Sequence, residues 1–288
     1  MKGRRFAFIV LTIAALSSSP AEAVQPRRVV STFLCTDEYV FRLLPRAHIA
    51  ALSFEAGDRH PVVSTIADQV AGMTGIHPTT ETVLNLHPDL VIMYQGTMPR
   101  LHENLSALGV PVLDVPWANS IADIRKTTRW LGERLGARTR AAALLDAMDA
   151  KLSTAHRLVE KPYIRALLYA PGGYASTGGV TDEMMTLAGL VNASPQLHPT
   201  RAGTVPVETV IAAAPELLIF SGEGSAPVSQ AELVQHHPAF AALAGHTLSA
   251  KTSLIPLLCP GPWSAEAALT FAELGMKARA LAKAQARN

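Results

Sequence analysis

The sequence predicts an α/β protein of two lobes, each built on a central, mostly parallel sheet and joined by one long helix. Three observations carry this expectation. Short apolar runs alternate with helical patterns on both sides of a strand-free stretch at 121–159, and such alternation builds βα units around a parallel sheet. A segment of the first half recurs in the second: Glu81-Thr-Val-Leu-Asn-Leu-His-Pro-Asp-Leu-Val-Ile-Met93 matches Glu208-Thr-Val-Ile-Ala-Ala-Ala-Pro-Glu-Leu-Leu-Ile-Phe220. The chain of 288 residues also exceeds an ordinary domain and suits two lobes. The expected division is a signal peptide at 1–23, a first lobe at 24–136, a joining helix at 137–161 and a second lobe at 162–288.

Lys2, Arg4 and Arg5 precede an uncharged apolar run, Phe6 to Leu16, and Ala21-Glu22-Ala23 follows as an A-x-A site. This is the layout of a secretory signal peptide cleaved after Ala23. The run is shorter than the ~20 residues that span a bilayer. No cysteine follows it to take a lipid anchor, so a periplasmic, soluble mature chain is expected. Net charge is +2, too balanced for a nucleic-acid partner.

The elements follow in order. Arg28 to Phe33 reads as a strand, Thr36 to Leu44 as a helix and Ile49 to Leu52 as a strand. Thr80 to Leu86 is a helix that stops at Pro88, because proline lacks the amide hydrogen and clashes with the preceding turn. Asp89 to Met93 is the next strand, Leu101 to Leu108 a helix and Pro111 to Val115 a strand. Ala142, Leu145, Met148, Leu152, Ala155 and Leu158 hold helical spacing, and a helix of that length runs ~30 Å. Alternation resumes with a strand at Ile164 to Tyr169 and helices at Asp182 to Ala188 and Val207 to Ala213. Strands at Leu217 to Phe220 and Ser253 to Leu258 and a helix at Ala265 to Ala284 complete the pattern.

Motifs for chemistry are scarce. Gly-x-Ser-x-Gly and His-Glu-x-x-His are both missing. Gly172-Gly173 and Gly178-Gly179 flank Tyr174 without a Walker lysine, which reads as a loop after a strand. Of the ten histidines His236 and His237 are adjacent, so their rings would point apart, and the others are scattered, whereas a metal site needs three or four convergent ligands.

The repeated segments, the opening unit at 28–44, the run Leu105 to Val112 and the stretch Met184 to Asn192 resemble the periplasmic binding proteins of iron-chelate and vitamin B12 importers. The resemblance spans almost the whole mature chain. It implies two Rossmann-like lobes, a ligand cleft between them, no catalysis and no cofactor. It also implies delivery of a corrinoid or ferric chelate, siderophore or haem, by a monomer to an ABC permease. In that family glutamates at this motif meet permease arginines, which implies docking roles for Glu81 and Glu208. The alternatives are zinc or manganese binding within the same superfamily, or an exported hydrolase using Cys35.

Ligands meet the carboxyl ends of strands in open α/β sheets. Those ends place Cys35, Thr36, Tyr94, Trp117, Tyr174 and Trp263 as expected contacts for a flat or amphipathic ligand. Arg59, Arg100 and Arg201 are candidates for anionic groups. Cys35 and Cys259, the two cysteines of the chain, both fall near strand ends. Export favours a disulfide, but pairing depends on whether their Cα atoms lie within ~7 Å.

Overall fold

A computed structural model describes residues 25–59, 62–197, 202–222 and 229–287. The expected signal peptide and Arg201 lie outside the described residues.

The first sheet holds β1 (Val29–Ser31), β2 (Ile49–Ser53), β3 (Gly75–Ile76), β4 (Leu90–Tyr94) and β5 (Val112–Val115), all parallel, in the order β3-β2-β1-β4-β5. Val29, Val30, Val91, Ile92 and Met93 are fully buried, as strands covered on both faces must be. Ile92 and Tyr94 face α1 (Leu34–Leu43), while Val91 and Met93 face α2 (Thr80–Leu84) and α3 (Pro99–Ala107).

The second sheet runs β11-β10-β6-β8, again parallel: β6 (Ile164–Tyr169), β8 (Leu190–Asn192), β10 (Leu217–Ser221) and β11 (Leu248–Thr252). Between them lie an antiparallel pair, β7 (Tyr174–Ser176) and β9 (Ala202–Thr204), and the helices α6 (Gly179–Leu187), α7 (Ser194–Leu197) and α8 (Val207–Ala213). After the last strand come α9 (Ile255–Leu258) and α10 (Ala265–Gln285).

The sequence repeat is also a repeat of structure. His87 and Ala214, which precede Pro88 and Pro215, both adopt left-handed backbone with φ of 47° and 40°. The acids after those prolines pin the neighbouring strand. Asp89 accepts from the amides of Arg27 and Arg28 at 2.7 and 3.0 Å, and Glu216 accepts from the Arg165 amide at 2.8 Å. The guanidinium groups of Arg28 and Arg165 in turn donate to Leu86 and Ala213, the matching helix-end carbonyls. Helix termini leave such carbonyls unpaired, so each lobe solves the same problem with the same pair of charges.

Two helices straddle the lobes. In α4 (Ile121–Arg134) Ile124 lies in the second lobe's core, whereas Leu131 packs in the first. In α5 (Arg138–Arg157) the order reverses, from Ala141 in the first core to Leu145, Met148, Leu152 and Ala155 in the second. Gly136, with φ of 59°, makes the turn between them.

One sequence expectation fails. Ser253 to Leu258 is not a strand: β11 precedes it, and Ile255–Leu258 forms a single helical turn. Pro256 has no amide hydrogen to offer a ladder. The partly polar Leu248–Thr252 pairs with β10 instead, at the sheet edge where alternation is tolerated.

Candidate ligand cleft

The carboxyl ends of the first sheet present Phe33 after β1, Phe54 after β2, His77 after β3, and Trp117 after β5. Trp117 is 48% exposed, although it is not loose. Its indole Nε1 donates to the Gln95 carbonyl at 3.0 Å, and its ring stands edge-on to Tyr94 with centroids 4.1 Å apart. Phe33 completes the cluster, 6.3 Å from Trp117 and 5.8 Å from Tyr94. Nearer the sheet edge Phe54 and His77 stack at 4.0 Å.

In the second lobe a turn at Pro171–Gly173 leads from β6 into β7 and sets Tyr174 on the surface, 47% exposed. Tyr174, Ala170, Ser176, Leu254, Leu257 and Leu258 line a recess of about 190 Å³. Both lobes thus carry apolar and aromatic surface at their strand ends, with backbone and hydroxyl groups interspersed, a composition suited to a large amphipathic ligand.

The expected contact residues divide. Trp117 and Tyr174 are open to a ligand. Tyr94 is 1% exposed; Trp117 covers it, and burial raises its hydroxyl pKa while the Ala118 backbone opposes the shift. Thr36 is buried, with Oγ1 donating to the Phe33 carbonyl at 2.7 Å and lying 2.7 Å from Ser31 Oγ. Cys35 is bonded to Cys259, with Cα atoms 4.9 Å apart. Its sulfur is therefore no nucleophile, and the hydrolase alternative loses its catalytic group. Trp263 lies in the seam between lobes: its ring packs on Tyr39 at 4.9 Å, the Arg42 guanidinium sits 4.5 Å above it, and Nε1 donates to Cys259 at 2.7 Å. Arg59 pairs with Asp68, and Arg100 is exposed in the first turn of α3. Glu81 and Glu208 are exposed in the first turns of α2 and α8.

Sequence reasoning missed Phe54, His77 and the leucines of the recess. Phe54 had a legible signal, since it directly follows the apolar run of β2. The leucines had none, because reading 253–258 as a strand consigned them to a sheet interior.

Among the described residues no group of three His, Cys, Asp or Glu side chains converges on a metal-sized site. Among them, too, no helix is long and apolar enough to cross a membrane.

A family model described as "Periplasmic binding protein" matches residues 40–245, most of the chain. No curated protein sequence matches. Several solved structures share the fold. The periplasmic heme-binding protein RhuT from Roseiflexus sp. RS-1 is 21% identical with a TM-score of 0.68, covering 88% of this chain and 98% of that one. The periplasmic vitamin B12 binding protein BtuF of Vibrio cholerae is 18% identical with a TM-score of 0.62, at 88% and 98% coverage. A protein of the ABC-type Fe3+-hydroxamate transport system from Saccharomonospora viridis DSM 43017 is 18% identical with a TM-score of 0.63, at 87% and 93%. At these identities the likeness establishes the fold.

Proposed function

The chain belongs to the periplasmic binding protein family, and we propose that it captures a corrinoid or ferric chelate, siderophore or haem, between its lobes and delivers it to an ABC permease. The observation that carries this reading is that each lobe presents aromatic and apolar surface at its strand ends. Trp117 and Phe33 offer aromatic faces from one lobe, and Tyr174 with the leucine-lined recess offers apolar surface from the other. A macrocycle or chelate has broad apolar faces that such rings stack on, and a polar rim that water and backbone groups satisfy. Zinc or manganese binding has no cluster among the described residues to support it.

In this reading residues 24–136 and 162–288 form the lobes and 137–161 joins them, after removal of residues 1–23 on export. Glu81 and Glu208 meet the permease. Their support is positional: each is exposed, and they occupy matching places in the two copies of the repeat.

The test is a titration of tryptophan fluorescence in the purified protein with cyanocobalamin, haemin and ferric siderophores. Quenching by one class, with stoichiometric binding and no turnover, is expected. No response to any of the three, with tight binding of bare zinc or manganese, would overturn the reading.

A further inference from the structure

We propose that the Cys35–Cys259 bond is a permanent covalent pivot, so that the cleft changes width by rotation about the seam and not by separation of the lobes at its floor. Cys35 stands in the first turn of α1, on the first lobe's central strand connection, and Cys259 follows α9 of the second lobe. The bond joins residues 224 positions apart in the chain. Cys259 lies in the first lobe's core, among the residues that pack around Leu34, Tyr39 and Tyr94. The sulfur bridge thus draws a piece of the second lobe into the hydrophobic interior of the first.

Its surroundings reinforce the attachment. Trp263, four residues on, is wedged between Tyr39 and the guanidinium of Arg42, both on α1. Gly261 has no side chain because a Cβ there would meet the Trp263 ring at 2.3 Å. The lobes are tied a second time by α4 and α5, which both enter the two cores, and the start of α4 is anchored on the second lobe, where the Ile121 amide donates to Glu183 of α6 at 2.6 Å. One fixed point between two rigid bodies permits rotation about any axis; two leave only the line that joins them. The two attachments therefore define a single hinge axis.

Burial separates a pivot from a switch. Cys35 and Cys259 are 3% and 2% exposed. Thiol–disulfide exchange needs an attacking thiolate to reach a sulfur, and here the route is closed by core side chains. The bond accordingly persists through cycles of opening and closing.

The inference rests on the two-lobe fold and not on which ligand is bound, so its test uses ligand-free protein. The wild type and the Cys35→Ser/Cys259→Ser variant are compared by small-angle scattering and by amide hydrogen exchange. The variant is expected to show a larger radius of gyration and exchange at 259–264 faster by about tenfold or more, with β4 and β10 protected as before. Two free thiols in the unreduced, denatured wild type would overturn the proposal, as would a variant matching the wild type in both measurements. Loss of protection throughout both sheets would overturn it too, because the bond would then hold the fold and not the hinge.

Discussion

Asp37 is fully buried in the first turn of α1, beneath the carboxyl ends of β1 and β2. Its Oδ1 accepts from the Ser53 amide at 3.0 Å, and Oδ2 accepts from the Ser53 hydroxyl. Desolvation outweighs these bonds and those from Ser31, and nearby Glu55 adds to it, so the pKa rises from 3.8 to about 7. Between those values the folded protein holds a proton that the unfolded chain has lost, so stability falls as pH rises through the window. Below it the penalty is absent; above it the penalty is complete. Asp37→Asn keeps an acceptor for the Ser53 amide and removes the titration. Its denaturation midpoint, measured at intervals across the window, should decline less with pH than the wild type's; parallel curves would count against a raised Asp37. Trp117 gives a prediction of a different kind. Because its ring is half exposed yet packs on Tyr94 and bonds to Gln95, Trp117→Ala should fold and lower the thermal midpoint by only about 2–4 °C. Loss of a stacked aromatic face should weaken ligand binding by about tenfold or more. A folded variant with unaltered affinity would remove Trp117 from the cleft wall.

At the scale of elements, the crossing of α4 and α5 is tight enough to test. Gly132 in α4 faces Ala141 in α5, and a Cβ on Gly132 would stand 2.5 Å from that of Ala141. Real carbon atoms do not approach so closely, and both lobes' cores constrain these helices. Replacing glycine by alanine inside a helix ordinarily gains up to about 1 kcal/mol. Here overpacking should reverse the sign, with Gly132→Ala costing roughly 1–3 kcal/mol in chemical denaturation. Ala141→Gly should restore part of the loss when combined with it, since the two methyl groups compete for one space. A stabilised single variant would mean that the helices part freely.

For the whole molecule, the duplicated helix starts matter most. Glu81 and Glu208 lie on separate lobes, and each also favours its own helix, because a carboxylate suits a helix N-terminus. Glu81→Ala and Glu208→Ala should therefore cost a little stability, leave ligand affinity nearly unchanged and reduce transport, with the double variant worst. Contacts between exposed charges are screened by salt, so docking to permease vesicles should weaken as ionic strength rises. Normal transport together with collapsed ligand affinity would move both residues from the proposed docking face to the cleft.

Much of this architecture was readable from local sequence. Strands buried on both faces are continuous apolar runs, helices repeat their apolar residues at fixed spacing, and Pro88 and Pro215 stop helices by local sterics. The match of Glu81–Met93 to Glu208–Phe220 revealed the duplication for the same reason: like sequences meet like backbone constraints. Even the strand-pinning acids, Asp89 and Glu216, stood out within the repeat, although their partners did not. Tertiary structure decided the rest. Whether Tyr94 faces a ligand or lies under Trp117, and whether Trp263 lines the cleft or wedges the seam, depends on which separate chain segments meet in the folded molecule. The pairing of Cys35 with Cys259 turned on a Cα separation of 4.9 Å. Local sequence encodes the torsions and burial of each element; the distance between two elements is settled only when both cores pack, and the cleft is made of those distances.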